Sequence, residues 1–221
     1  MGRSFIATAV ILCCTEWLSG FRKEKSIRRQ RDRILVYGLT FVSVLVITGR
    51  EYRGEWTYSE AAGSLRNGIR ILSGAFLAGG LTAAAYMDNR DCWVYNYVWW
   101  WCLPWAAILG LTEDGEGKNV IAVLLFIGLQ QLFFSKLYGR ADCHAFSVCA
   151  LAECGNRAGM LFYLEHMLSA VLLLALVQLI AGNVSRSGRL RTPQPFIPYI
   201  TASFWGILLW EHILSQTYIY T

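Results

Sequence analysis

Charge is scarce in this chain: only 16% of its 221 residues are Asp, Glu, Lys or Arg, against about 25% in an average soluble domain. That scarcity excludes an ordinary soluble enzyme and a charge-rich disordered tail. Histidine is scarcer still, with His144, His166 and His212 the whole supply, and none of them stands four residues from another ligand-type side chain in a metal-site pattern. Seven cysteines are present, at 13, 14, 92, 102, 143, 149 and 154, without a CxxC pair. A zinc ribbon and a disulfide framework are thereby disfavoured, and most of the thiols fall in apolar runs, where free Cys acts as a small hydrophobe. No metal and no cofactor is expected. Repeats, low-complexity segments and long polar linkers are also missing, so residues 1–221 read as a single domain.

What the chain has in excess is apolar surface, at 55% hydrophobic residues and a mean hydropathy of +0.39. The charged residues gather in short clusters between long apolar runs, the pattern expected when the solvent is lipid. Candidate spans lie near 4–20, 34–49, 71–87, 94–111, 119–136, 143–154, 159–182 and 196–214. The expected fold is therefore all-α, a polytopic transmembrane bundle of about eight spans, with 143–154 the weakest of them. Residues 1–20 imitate a signal peptide, but the basic block that follows, in place of a small-residue cleavage site, predicts a retained anchor. The net charge of +5 is read as topology control rather than nucleic-acid binding, because its largest block, 22–33, flanks a span. The lipid bilayer is the expected partner and nucleic acid is not.

If the 22–33 block is cytoplasmic, alternation of the spans puts thirteen of the twenty Lys and Arg residues on that side, which satisfies the positive-inside bias. Both termini and the acidic loop Glu113-Asp114-Gly115-Glu116 then lie outside. Asp88 follows the third span and Asp142 the fifth, so the two emerge on the same side whatever the exact count. Ionisable residues near bilayer depth are candidate functional groups because they are costly to desolvate. Asp88 closes a run of small residues, Leu81-Thr82-Ala83-Ala84-Ala85, that would let another helix approach closely. Asp142 follows the small-residue turn Gly139-Arg140-Ala141. The alternative for both is a cap in interfacial water. Asp91 reads as a solvated carboxylate paired with Arg90, and the tryptophans at 93, 99, 100, 101 and 105 as a membrane-interface belt or, less simply, a wall against substrate.

Spacing adds a resemblance. Asp88, Arg90, Val94 and Asn96 resemble the first signature of the type IV prepilin peptidases and their preflagellin relatives, with Tyr95 where a Pro usually precedes the Asn. Gly139-Arg140-Ala141-Asp142 resembles the second, GxGD, in a GxAD form, with His144 where Lys is common. Pro195-Phe196-Ile197-Pro198 resembles the Pro-Phe-x-Pro stretch opening the last helix. These matches occur in family order. The resemblance implies an aspartyl endopeptidase of the cytoplasmic membrane of a bacterium or archaeon, with Asp88 and Asp142 as the catalytic pair. Asn96, Gly139, Ala141 and His144 would bind substrate or support the site. Its substrate would be a prepilin-like, membrane-inserted precursor with a basic leader. The two CxxC pairs of the methylating members are lacking, so cleavage without methylation is expected.

Two rivals are weighed beside it. A presenilin-like protease should carry a late Pro-Ala-Leu motif, whereas the late prolines here read Thr192-Pro193-Gln194-Pro195-Phe196. A small proton-coupled transporter should carry repeats and acids at mid-membrane. Sidedness is directly testable: reporter fusions after Gly115 should give an external signal and fusions after Gly188 a cytoplasmic one, and the reverse pattern would put both aspartates outside, away from any cytoplasmic leader.

Overall fold

A computed structural model describes residues 2–19, 30–49, 60–112, 118–155, 160–184 and 194–217. Among these there are eight α-helices and no strand: α1 Gly2–Ser19, α2 Gln30–Gly49, α3 Glu60–Asp91, α4 Asn96–Leu111, α5 Lys118–Leu132, α6 Arg140–Ala152, α7 Met160–Val184 and α8 Ile197–Thr217. Each of the eight apolar runs coincides with one helix. Three helices are long and apolar enough to cross a membrane, over Asp32–Gly49, Leu65–Asp91 and Leu161–Ile180. Residues 22–29 of the basic block, the acidic loop Glu113–Glu116 and the Arg186–Arg191 loop lie outside the described residues.

The central element is α3, which packs against α1, α2, α4 and α8. Its buried face is built from small residues, Ala75, Ala78, Ala83, Ala84 and Ala85 among them, so neighbouring backbones come close without large side chains between them. Closest approach occurs at Gly79 and Gly80. A methyl group at 79 would sit 2.5 Å from Cys14 Cβ of α1, and one at 80 would collide with Cys102 Sγ of α4. Thr15 Oγ1 donates to the Gly79 carbonyl at 3.2 Å as well as to Ile11 in its own helix at 2.8 Å. The two glycines thus let α3 be clamped between α1 and α4.

α3 begins eleven residues before the apolar run expected at 71–87. The extra turns, Glu60 to Arg70, carry Glu60, Arg66 and Arg70 and so lie outside the apolar run read from the sequence, although the membrane-length stretch begins at Leu65. Arg66 reaches across from them to donate to the Thr112 carbonyl, with Nε at 3.0 Å, which serves one of the carbonyls that the end of α4 leaves without an intrahelical partner.

Hydrogen bonds fix which helix ends meet. Asn89 Nδ2 donates to Asp32 Oδ1 at 2.9 Å, Tyr97 Oη to the Leu18 carbonyl at 2.6 Å, and Gln178 Nε2 to Gln194 Oε1 at 3.0 Å. The end of α1, the start of α2, the end of α3 and the start of α4 therefore share one end of the bundle, as strict up-and-down alternation requires. The outer surface is apolar: Leu161, Leu168, Leu172 and Leu179 of α7 are exposed, while Thr40, Ser43, Gln130 and Thr201 are buried. Large exposed apolar surface of this extent is a liability in water and a requirement in lipid.

The tryptophans divide. Trp93 and Trp100 are exposed and Trp99 is buried. Trp101 and Trp105 pack on Phe76 of α3, the latter stacked at 4.4 Å between centroids, and Trp101 also meets Trp17 of α1 at 5.2 Å. Those two cement α4 to its neighbours rather than form a belt or a wall.

The clamp predicts a contrast within one helix. Gly80→Ala should destabilise the bundle by about 1–3 kcal/mol through overpacking, whereas Gly68→Ala, where nothing lies within 4 Å of the new methyl, should stabilise it by about 1 kcal/mol through helix propensity. Unfolding midpoints of the two variants in detergent micelles check this.

Candidate active site

Asp88 lies in the last turn of α3 and is only 7% exposed. A carboxylate so far out of water needs partners, and it finds them at the start of α8. The Ile197 amide donates to Asp88 Oδ2 at 3.0 Å, and the Phe196 amide faces the same carboxylate. The sequence makes this opening available. Amides in the first turn of a helix have no intrahelical acceptor, and the end of the helix carries a partial positive charge. Pro198, second in α8, contributes no N–H of its own.

Asp142 sits in the first turn of α6, just ahead of that helix's apolar stretch. α5 ends at Leu132, a short 3-10 turn follows at Phe134–Lys136, and Gly139 precedes α6 as its N-cap. Asp142 Oδ2 reaches back and accepts from the Gly139 amide at 3.0 Å. A methyl group on residue 139 would come within 3.3 Å of that oxygen, so the carboxyl would have to give by a few tenths of an ångström. Ala141 is half-buried against the core.

Asp88 and Asp142 lie close enough for one charge to bear on the other, although α3 and α6 are separated by two helices in sequence. Burial first, and then the charge of Asp88, push the Asp142 carboxyl up to about 7, against the opposing pull of the Gly139 amide. As a general rule, two carboxyls held in close contact share a proton near neutrality, so that one can act as a base and the other as an acid.

The aromatic side chains around the pair come from the same three places. Phe196, whose backbone faces Asp88, lies 6.0 Å edge-on from Tyr138 and 5.9 Å from Phe146 of α6. Tyr138 is the residue before Gly139. The Pro-Phe-x-Pro stretch, the GxAD turn and the end of α3 thus form one locus. Sequence reasoning missed the Phe196 and Ile197 amides as the partners of Asp88. The proline pair bracketing them was the available signal.

His144 is half-buried one residue into the apolar stretch, with Nδ1 3.4 Å from Gln131 Nε2 of α5 and its ring 6.1 Å from Trp99. Gln131 also faces Ser147 Oγ at 3.4 Å. Asn96 is not brought to the pair. It is the first residue of α4, exposed, because the inward face of that helix is taken by Val98, Trp99 and Cys102. Asp91 is exposed and bonded to Arg90 at 2.6 and 2.8 Å, and that guanidinium also lies over the Tyr86 ring. His166 is fully enclosed and makes an interhelical hydrogen bond, with Nε2 2.9 Å from the Ile200 carbonyl of α8 and Phe146, Phe162 and Phe204 around its ring. Among the described residues, no three His, Cys, Asp or Glu side chains converge as metal ligands would. No protein-family model matches the chain, and neither does any curated protein or any solved structure.

The Asp142 environment has a consequence for stability. Its folded-state pKa of about 7 stands above the value of about 3.9 for a solvated Asp, so folding favours the protonated form. That contribution is complete below about pH 4 and is lost as pH rises through 7. Asp142→Asn removes the dependence. Thermal unfolding across this window should show the variant gaining on the wild-type protein from pH 4 to pH 8. A constant difference between them would mean that Asp142 is not held in a charge-disfavouring site.

Proposed function

We propose that this chain is a membrane-embedded aspartyl endopeptidase that removes the basic leader of prepilin-like precursors at the cytoplasmic face of a bacterial or archaeal membrane. The observation that carries the reading is convergence. Asp88, buried, and Asp142, half-buried, come from separate helices at one end of the bundle, and the charge of Asp88 bears on the proton of Asp142. Of the three short motifs behind the resemblance to prepilin peptidases, Asp88 of the first lies against Phe196-Ile197 of the third, with Tyr138 before the GxAD turn packed beside them, while Asn96 of the first stays apart. The apolar outer surface and the alternating helices support a polytopic arrangement of about eight spans. Acids at the ends of helices favour this reading over a proton-coupled transporter, for which mid-membrane acids are expected.

The chemistry needs only the pair and a water. The ionised carboxylate takes a proton from the water as its oxygen attacks the scissile carbonyl carbon, while the protonated carboxyl donates to the carbonyl oxygen. The resulting tetrahedral diol collapses as the C–N bond breaks: the carboxyl that took the water's proton gives it to the leaving amine, while the other carboxylate takes a hydroxyl proton from the diol, which leaves as a carboxylic acid. The two acids then hold one proton between them again. Neither carboxyl has a fixed role, and the pair titrates as a unit. A site at the helix ends lets the hydrophobic stem of a precursor stay in lipid while its charged leader reaches the carboxyls.

Co-expression with prepilin-type precursors, read by the gel shift of leader removal, tests the assignment. Asp88→Asn and Asp142→Asn should each lower cleavage by about a hundredfold or more with membrane insertion intact. Asp91→Asn, which breaks only an exposed pair with Arg90, should keep most of the activity. Undiminished cleavage by Asp88→Asn would overturn the reading.

A further inference from the structure

One buried polar connection has no part in the chemistry above. Gln130 of α5 is fully enclosed, and its Oε1 accepts a hydrogen bond from Tyr138 Oη at 2.6 Å, while its Nε2 points at Met167 Sδ of α7 at 3.1 Å. Tyr138 stands in the turn between α5 and α6, immediately before the Gly139 whose amide Asp142 holds. The phenol ring is stacked on Phe134 at 5.8 Å, tilted against Phe146 at 5.8 Å and edge-on to Phe196 at 6.0 Å. Phe196 in turn presents its amide to Asp88. One side chain therefore touches the supports of both carboxyls: it is bonded in sequence to the turn that carries Asp142, and it packs on the residue that opens α8 beneath Asp88.

We propose that Tyr138, locked by Gln130, is a positioning residue that sets the approach of Asp142 to Asp88. A buried amide with a single hydroxyl partner fixes the direction of the phenol, since Gln130 has no water to turn to. The ring, so fixed, is the spacer between the α5–α6 turn and the start of α8. Without the hydroxyl the ring keeps its packing but loses its anchor, and the turn is free to carry Asp142 away from Asp88. The inference rests on the aspartyl-pair reading, which it deepens.

The test uses full-length protein in detergent and two readouts. The first is the titration of the five aspartate carboxyls followed by NMR of protein labelled with carbon-13 at the aspartate carboxyl, with Asp142 identified through Asp142→Asn. The titratable groups facing Asp142 are Asp88 from α3, Tyr138 from the turn and Cys143 from its own helix. Tyr138→Phe should move the Asp142 midpoint below its wild-type value as the Asp88 charge recedes. The second readout is leader cleavage, in which Tyr138→Phe should lower kcat about tenfold or more, the size of effect that small misplacements of reacting groups produce, with KM little changed.

Tyr138→Phe combined with Gln130→Met relieves the orphaned amide and should recover thermal stability, while the lowered midpoint and lowered kcat persist. Recovery of wild-type kcat in the double variant would reduce Tyr138 to a packing role and overturn the inference. So would a Tyr138→Phe titration superimposable on the wild type. Failure of the wild-type protein to cleave any prepilin-type precursor would instead defeat the peptidase reading, and the titration would still decide whether Tyr138 positions the pair.

Discussion

The bond on which the rest of the structure depends joins the end of α3 to the beginning of α8, where the Ile197 amide donates to the Asp88 carboxylate. Burying a carboxylate without compensation costs several kcal/mol, so Asp88 can lie out of water only where oriented donors meet it. The first turn of α8 is such a place, because its amides have no acceptor of their own and its dipole favours negative charge. Satisfying both needs at once pins two helices more than a hundred residues apart in sequence. With α8 so placed, the Phe196 ring is delivered to Tyr138 and Phe146, and the α5–α6 turn has a surface to rest on. His166 adds a second tie about one turn further along α8, through the Ile200 carbonyl.

Each aspartate, taken singly, has a structural explanation. Asp88 caps α8, and Asp142 reaches back to the amide at the start of its own helix. Caps do not account for the two together. Asn or Ser serves about as well as Asp at a helix N-terminus, and at position 142 either would escape both the burial penalty and the repulsion from Asp88 that raise the carboxyl to about 7. A second carboxyl at this spot therefore carries an electrostatic cost that its bond to the Gly139 amide only partly offsets. Costs of that kind gather at sites where a proton must be held and released near neutral pH.

The helices were legible because an apolar run bounded by charge has few other readings, and the shared end of Asp88 and Asp142 was legible because alternation of spans is a matter of parity. What escaped was whatever depends on approach in space. The first turns of α3, Glu60 to Arg70, carry too much charge to resemble a span and too little periodic apolar residue to resemble anything else. Asn96 stands eight residues from Asp88, but the chain leaves the helix at Cys92, whose φ of 51° turns it sharply, and α4 restarts with Asn96 on its outer side. The spacing matched a motif; the turn decided where the side chain went. Gln130 and Tyr138, eight residues apart across a break between helices, offered no pattern linking them. The amides of Phe196 and Ile197 could not be read at all, since backbone donors leave no letter in a sequence beyond the prolines that frame them.

Helix lengths give the site its depth. α4, α5 and α6 contain 16, 15 and 13 residues, which at 1.5 Å per residue come to about 20–24 Å, short of the ~30 Å of a hydrocarbon core. α3, with 32 residues, is longer than that core by a wide margin. The short helices are neighbours, since α6 packs against both α4 and α5. In a bilayer such a cluster either thins the lipid around it or leaves its ends below the surface, and each costs only fractions of a kcal/mol per ångström. Both outcomes have the same effect on chemistry. The α5–α6 turn and its Asp142 come to lie where lipid tails meet water. The long α3 supplies the opposite wall and carries Asp88 to the same level. A bundle of uniformly long helices would place both acids in bulk water, where the burial that raises the Asp142 carboxyl would be lost.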